Sequence, residues 1–262
     1  MKGNFDLLPS TTSQPGISLH FGQTFARFLE DLDEASNIAQ VKACCAEFST
    51  RVGAQHFLYK PLFQPFAVTL QCIHNFQPAW IRVYSNNDFH QLDPRNHYCL
   101  EHSEPIRWCD LSIGNDKKGR LANQVLKAAR QHGYVDGITF PLHGVGCEAS
   151  FFSLSSSSAL PEYSEIEIQT ILAYANRLHS AVKRIQHKNC PKSSKSKELS
   201  EREKDCLVWT AKGKTSWEIG QILGLSESTV VFHISKAVNK LDVKNRVQAV
   251  ASAITQSKIH LY

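Results

Sequence analysis

The sequence predicts an α+β protein: an N-terminal α/β/α sandwich over residues 1–186, a linker over 187–198 and an all-α, four-helix domain over 199–262. Three observations carry that expectation. Amphipathic runs with helical three-and-four spacing open and close the front part and enclose a group of short strand-like segments. A polar, basic dozen, HKNCPKSSKSKE, contains Pro191 and breaks the apolar periodicity, as linkers do. Beyond it, four short helical patterns follow one another with capping residues at legible ends.

Taken in order, residues 1 to about 18 are polar and punctuated by Pro9, Pro15 and Gly16, the composition of a loose arm. Phe21, Phe25, Phe28, Leu29 and Leu32 then mark an amphipathic helix over Leu19 to Leu32. A second helix is expected over Glu34 to Arg51, with Ile38, Val41, Cys45 and Phe48 on one side. His56 to Tyr59 and Ala67 to His74 read as short strands, Pro78 to Ser85 and Gly119 to His132 as helices. Gly137 to Leu142 and Ala149 to Ser155 read as two strands around a Gly144-x-Gly146 turn. Tyr163 to Gln186 is a long helix with Ile166, Ile168, Ile171, Leu172, Ala175, Leu178 and Val182 as its apolar residues. The serine run Ser155 to Ser158 is too short to carry meaning, and no internal repeat is present.

Bulk properties narrow the class. A chain of 262 residues with 42% hydrophobic content can bury one large core or two modest ones. No run of eighteen apolar residues exists, and the start MKGNFDLLPS lacks a basic-then-apolar leader, so a soluble cytoplasmic protein with no membrane partner is expected. Charge is unevenly placed: residues 187–262 hold thirteen Lys/Arg against seven Asp/Glu, whereas the remainder holds sixteen against seventeen. A basic rear beside a near-neutral front suits phosphate binding at the rear. Eight cysteines, at 44, 45, 72, 99, 109, 147, 190 and 206, form no C-x-x-C pair and are expected as reduced thiols. His97, Cys99 and His102 fall on different sides of a helix, so no metal site is expected. Nucleophile elbow, P-loop and metal-ligand cluster are all missing, and with them any handle for an enzyme or a cofactor.

The rear stretch Leu199 to Val250 is the most informative. Ser200 and Glu203 form an S-x-x-E capping box, Gly213 closes that helix, Thr215 and Glu218 repeat the box, and Gly224 ends the second helix. Ser226 is the expected N-cap of a third helix. Val230, Ile234, Ala237, Val238 and Leu241 define its buried face, and Ser228, Phe232, Ser235, Lys236 and Asn239 the opposite one. Two capped helices joined by a short turn, the second with an outward polar face, describe a helix-turn-helix. L-S-x-R-E, Trp209-Thr-Ala-x-Gly-Lys-Thr, Glu218-Ile-Gly, Ser226-x-x-Thr-Val-x-x-His and Lys240-Leu resemble the LuxR/GerE-type DNA-binding domain over about fifty residues. The resemblance implies that the third helix enters the major groove and that a fourth, from about Lys244, forms a dimer contact. It puts Val231, Phe232 and Ser235 at base-reading positions, with Thr229, Lys236, Asn239 and Lys240 completing the DNA-facing set. Relatives often carry a basic residue where this chain has Val231 and Ser235; Phe232 can instead touch a thymine methyl or pack partly into the core, and Lys236 or Lys240 can hold phosphate.

The front half has an aromatic-rich middle: Phe76, Trp80 and Tyr84, then Leu92-Asp93-Pro94, then Trp108. Large aromatics can wall an apolar cavity while an indole N–H and a carboxylate fix a polar head group; the same residues also suit an ordinary aromatic core. A buried Asp93 needs a dedicated donor. W-x-x-x-Y, D-P nine residues after the Tyr, W fifteen after the Asp, and Gly137 before Thr-Phe-Pro-Leu-His-Gly resemble the autoinducer-binding domain of LuxR-type quorum-sensing regulators. That resemblance implies an N-acyl-homoserine lactone held between the sheet and a helical layer. Trp80 would donate to the lactone carbonyl and Asp93 accept from the amide N–H, with Tyr84 and Trp108 in the wall and Ser153 a donor to the amide carbonyl. Relatives commonly have Tyr where this chain has Phe76. The missing hydroxyl removes one hydrogen bond, about 0.5–1.5 kcal/mol. The expectation is a non-enzymatic transcription regulator, a homodimer on inverted-repeat promoter DNA, with acyl-homoserine lactone as ligand. The alternative is an orphan regulator of the same type that is ligand-independent or answers to a different small molecule.

Overall fold

The computed structural model describes residues 18–63, 72–144, 148–189 and 198–261. Elements appear in the order α1 (Ser18–Glu34), α2 (Ile38–Arg51), β1 (His56–Phe63), β2 (Ile73–His74), α3 (Pro78–Asn86), α4 (Phe89–Leu92), α5 (Pro94–Glu101) and β3 (Ile106–Arg107). A 3-10 turn over Trp108–Asp110 leads to α6 (Lys117–Gln131), β4 (Asp136–His143), β5 (Ala149–Ser156) and α7 (Glu165–Asn189). The rear helices are α8 (Glu201–Ala211), α9 (Ser216–Leu223), α10 (Glu227–Lys240) and α11 (Arg246–Thr255).

The five strands form one antiparallel sheet in the order β2-β1-β5-β4-β3. Side chains alternate between its faces with a period of two, and the two faces differ in chemistry. Phe57 and Tyr59 of β1, Ile138, Phe140 and Leu142 of β4, and Phe152 and Leu154 of β5 pack against α1, α2 and α7 in the larger core. Within it Phe48 stacks on Tyr174 at 3.6 Å between ring centroids. The alternate residues, Lys60, Gly137, Thr139 and Ser153 among them, lie on the other face. That face is covered by a separate aromatic cluster of Trp80, Phe89, Trp108, Val125, Ala129 and Tyr134. Helices on both faces make the α/β/α sandwich. Central β5 is buried along its whole length, its inward-facing alternative to aromatics being small hydroxyls.

Several boundaries differ from expectation for local reasons. Helix α2 begins at Ile38 rather than Glu34 because Asn37 caps it, accepting from the Gln40 N–H at 3.0 Å. Asp116 caps α6 through the Gly119 N–H, moving that helix start ahead of Gly119. Helices α4 and α5 and strand β3 carry too few residues for periodicity to register. Of the strand expected over Ala67 to His74, only Ile73–His74 is seen within the described residues; its first part, the N-terminal arm, Phe21, Gly146 and most of the linker stretch lie outside them or have no described side chain. Among the described residues no helix is long and apolar enough to cross a membrane.

In the rear region both capping boxes form, Ser200 with Glu203 and Thr215 with Glu218. Gly224 ends α9 in the left-handed region, and Ser226 caps α10 by accepting from the Thr229 N–H. Gly220 is needed inside α9 because a Cβ there would lie 2.6 Å from the Leu225 carbonyl oxygen, blocking the turn. Val230, Ile234 and Ala237 face α8 and α9, with Cys206, Leu207 and Ile219 on the opposing side. Buried Glu203 accepts from the Lys240 ammonium at 2.7 Å, tying α8 to the end of α10.

Candidate ligand pocket and nucleic-acid interface

The D-P pair organises a buried polar cluster. Asp93 sits immediately before α5 and accepts from the Arg95 N–H at 3.0 Å, while Pro94 occupies the first helical turn, where a missing N–H costs nothing. The cap turns Arg95 back onto Asp93: Nε donates to Oδ1 and Nη2 to Oδ2, both at 2.7 Å. Tyr84, reaching from α3, donates to Oδ2 at 2.9 Å. Asp93 is 2% exposed and Arg95 5%. The Lys60 ammonium on β1 donates to the Tyr84 hydroxyl at 3.1 Å and to Asn96 Oδ1 at 3.2 Å.

Aromatic side chains wall this polar knot. The Arg95 guanidinium lies 4.4 Å from the Trp108 ring. Trp108 is held in turn by its Nε1, which donates to Thr139 Oγ1 at 3.0 Å, and by its approach to the bare Gly137 backbone. A Cβ at 137 would stand 2.4 Å from the indole. Trp80 is buried against Tyr84, Phe89, His132 and Tyr134 at 5.4–6.3 Å between centroids. Its indole N–H donates to none of the described residues. Phe76 packs on Tyr134 at 4.6 Å and on His56 and His74. Ser153 faces the same side of the sheet, but its hydroxyl is engaged, sharing a bond with Thr139 at 2.8 Å and donating to the Ile138 carbonyl at 3.2 Å.

Burial alone would raise the Asp93 carboxyl. The Arg95 charge and its hydrogen bonds, then Lys60 and the Tyr84 hydroxyl, outweigh that and hold it below the ordinary carboxylate range. Burial pushes the Lys60 ammonium down against the pull of Asp93, and pushes the Tyr84 hydroxyl up.

All six residues expected at the ligand therefore lie on one side of the sheet, and Trp80, Tyr84, Asp93 and Trp108 are joined through Arg95 and direct contacts. Sequence reasoning missed Arg95, Lys60 and Thr139. Asp-Pro-Arg at a helix start was a usable signal for Arg95; Lys60 and Thr139 required the strand register. A separate cleft of about 370 Å³ opens between the outer side of α5 and α6, lined by Leu92, Tyr98, Ile106, Leu111 and Ala122, and touches none of the six. His97 and His102 bond to the backbone carbonyls of Gln91 and Tyr98, and Cys99 is buried on the opposite side of α5.

On α10, Val231, Phe232, Ser235, Lys236 and Asn239 are exposed along one face. Phe232 is 54% exposed, so it is not a core residue; the Lys236 ammonium sits 4.5 Å over its ring. Thr229 is half-buried, its hydroxyl bonded to Ser226 at 2.7 Å. Lys240 spends its ammonium on Glu203 and on the Glu198 carbonyl, which leaves it a brace between helices. Trp217 of α9, 60% exposed, was not singled out by sequence and flanks the same motif.

The family described as autoinducer binding domain matches residues 37–182, and the family described as bacterial regulatory proteins, luxR family, matches residues 197–253. The transcriptional activator protein LuxR of Aliivibrio fischeri is 26% identical over 241 residues, covering 89% of this chain and 94% of its own length. The transcriptional activator protein VanR of Vibrio anguillarum is 32% identical over 218 residues, covering 80% and 87%. Among solved structures, Escherichia coli SdiA matches with a TM-score of 0.70 at 24% identity, covering 91% of this chain and 98% of that one.

Because the folded-state Asp93 carboxyl lies below its unfolded value of about 3.9, its contribution to stability is complete above the unfolded value and lost as pH falls from there through the lower folded-state value. Urea melts between about pH 5 and pH 2 should lose stability less steeply in Asp93→Asn than in the parent, though from a lower starting value. Parallel curves would show that Asp93 does not govern the acid response.

Proposed function

The chain belongs to the luxR family of bacterial regulatory proteins, with an autoinducer-binding domain ahead of its helix-turn-helix domain, and on that premise we propose a ligand-gated transcription regulator that takes an N-acyl-homoserine lactone and binds promoter DNA as a homodimer. Residues 1–186 are the ligand-binding unit, 187–198 the linker and 199–262 the DNA-binding unit, a division supported by family matches ending at 182 and resuming at 197.

The observation that carries the ligand reading is an indole in an aromatic enclosure whose N–H meets no acceptor among the described residues. Trp80 is enclosed by aromatics, its N–H meets none of the described residues, and it packs on Tyr84 beside Asp93. A ligand carbonyl in reach of that N–H would add a hydrogen bond, about 0.5–1.5 kcal/mol. Trp80 donates to the lactone carbonyl, Asp93 accepts from the ligand amide, and Tyr84, Trp108, Phe76 and Ser153 shape the surroundings. Ligand binding to the folded front unit favours the dimer-competent state by mass action. An exposed valine on α11, Val247, supports that helix as the dimer contact. A second reading, a regulator with a different trigger, is favoured by one feature: both Asp93 oxygens already accept internal bonds.

At the DNA, exposed Val231 and Phe232 read thymine methyls, with Ser235 and Asn239 beside them, Thr229 and Lys240 supporting the helix, and Lys236 on phosphate. Two units of a dimer meet half-sites about one helical turn apart.

Calorimetric titration with an acyl-homoserine lactone panel should give saturable binding that weakens by about tenfold in Trp80→Phe. Absence of binding to any lactone, in protein that still binds DNA, would move the choice to the second reading. In gel shifts, Lys236→Ala should weaken all sites alike and lower the salt slope by about one. Phe232→Ala should cost about 1–3 kcal/mol at thymine-bearing positions only; a uniform loss would make Phe232 a backbone contact.

A further inference from the structure

The guanidinium of Arg95 is half used. Its Nε and one Nη2 hydrogen grip Asp93, and its face is covered by Trp108. The other edge, Nη1 and the second Nη2 hydrogen, donates to none of the described residues, and the residue is 5% exposed. Arg95 therefore lies between the two residues proposed above to contact or wall the ligand, Asp93 and Trp108.

The local charge points the same way. Lys60 and Arg95 are two cations against one carboxylate. The neighbouring Cys99 thiol, pushed up to about 12 by burial, and the Tyr84 hydroxyl, raised by burial, add no negative charge. The site is left wanting electron-rich oxygen. The neutral donors proposed around an acyl carbonyl are spent or missing: the Ser153 hydroxyl goes to Ile138, Trp108 Nε1 goes to Thr139, and Phe76 has no hydroxyl.

We propose that Arg95 sets acyl-chain specificity: the outer edge of its guanidinium takes the two carbonyl oxygens of a 3-oxoacyl amide, so the pocket selects 3-oxoacyl ligands over saturated chains of equal length. A planar fork of two N–H groups matches a pair of neighbouring oxygens, and such bidentate bonds from a charged donor exceed neutral ones in strength. A site that presents a buried donor also rejects the analogue lacking the acceptor, because the donor is then stranded. Asp93 keeps the fork aimed by holding its inner edge. The proposal rests on the lactone reading above.

The test is the affinity of the full-length protein for length-matched pairs of 3-oxoacyl and saturated acyl-homoserine lactones, across the available chain lengths. The parent should prefer the 3-oxo partner by about tenfold or more. In Arg95→Met the preference should fall below about twofold, with the same collapse in Arg95→Gln, which keeps one polar group beside Asp93 should the first variant fail to fold. Equal affinity within a pair in the parent overturns the Arg95 role and spares the lactone reading. A preference that survives in either folded variant assigns the selectivity elsewhere and also overturns it. No binding of any pair by the parent overturns both readings together.

Discussion

A carboxylate cannot be buried without donors, and in this protein that requirement organises the front domain. Asp93 is enclosed, and its oxygens accept from the Arg95 side chain, the Arg95 N–H and the Tyr84 hydroxyl. Those bonds join elements far apart in sequence. Tyr84 brings in α3, Arg95 fixes the start of α5, the guanidinium anchors Trp108, and Lys60 attaches β1 through Tyr84. Removing one partner of such a pair costs about 3–5 kcal/mol, more than most single contacts contribute. Among the described residues, the indole N–H of Trp80 and the outer edge of Arg95 meet no acceptor.

The sheet makes this possible by separating two kinds of interior. One face carries Phe57, Tyr59, Phe140, Phe152 and Leu154 into an apolar core with α1, α2 and α7. The other face, one residue out of phase, presents Lys60, Thr139 and Ser153 beneath Trp108 and the aromatic cluster. A one-residue slip of β1 or β5 would exchange the two sets, placing Lys60 in the apolar core. Register therefore matters to function as well as to stability. The first face supplies the larger apolar core, and the proposed recognition chemistry belongs to the second.

Legibility in the sequence followed the range of the forces involved. The rear helices were readable to their ends because capping boxes and the Gly224 cap act within one turn, and Ser200, Thr215 and Ser226 all cap as expected. The long front helices were readable from periodicity alone. Short α4, α5 and β3 were not, since their conformation is imposed by packing around Asp93 and by pairing with β4. Asp93 was legible as a buried acid, but its partner was not named, although Arg95 stands two residues away. Lys240 reads from its position as a phosphate contact, yet its ammonium braces Glu203, a bond between residues 37 positions apart. Exposure of Phe232 likewise depends on how α8 and α9 cover the other side of α10.

The chain thus combines a sandwich with a buried polar cluster under aromatic rings and a small helical domain whose α10 exposes Val231 and Phe232. Hydrogen–deuterium exchange on the full-length protein with and without an acyl-homoserine lactone locates the ligand. Added protection should concentrate in α3, the start of α5, the Trp108 turn and the facing parts of β4 and β5. Protection confined to the outer cleft between α5 and α6, with none around Trp80 and Asp93, would contradict that placement.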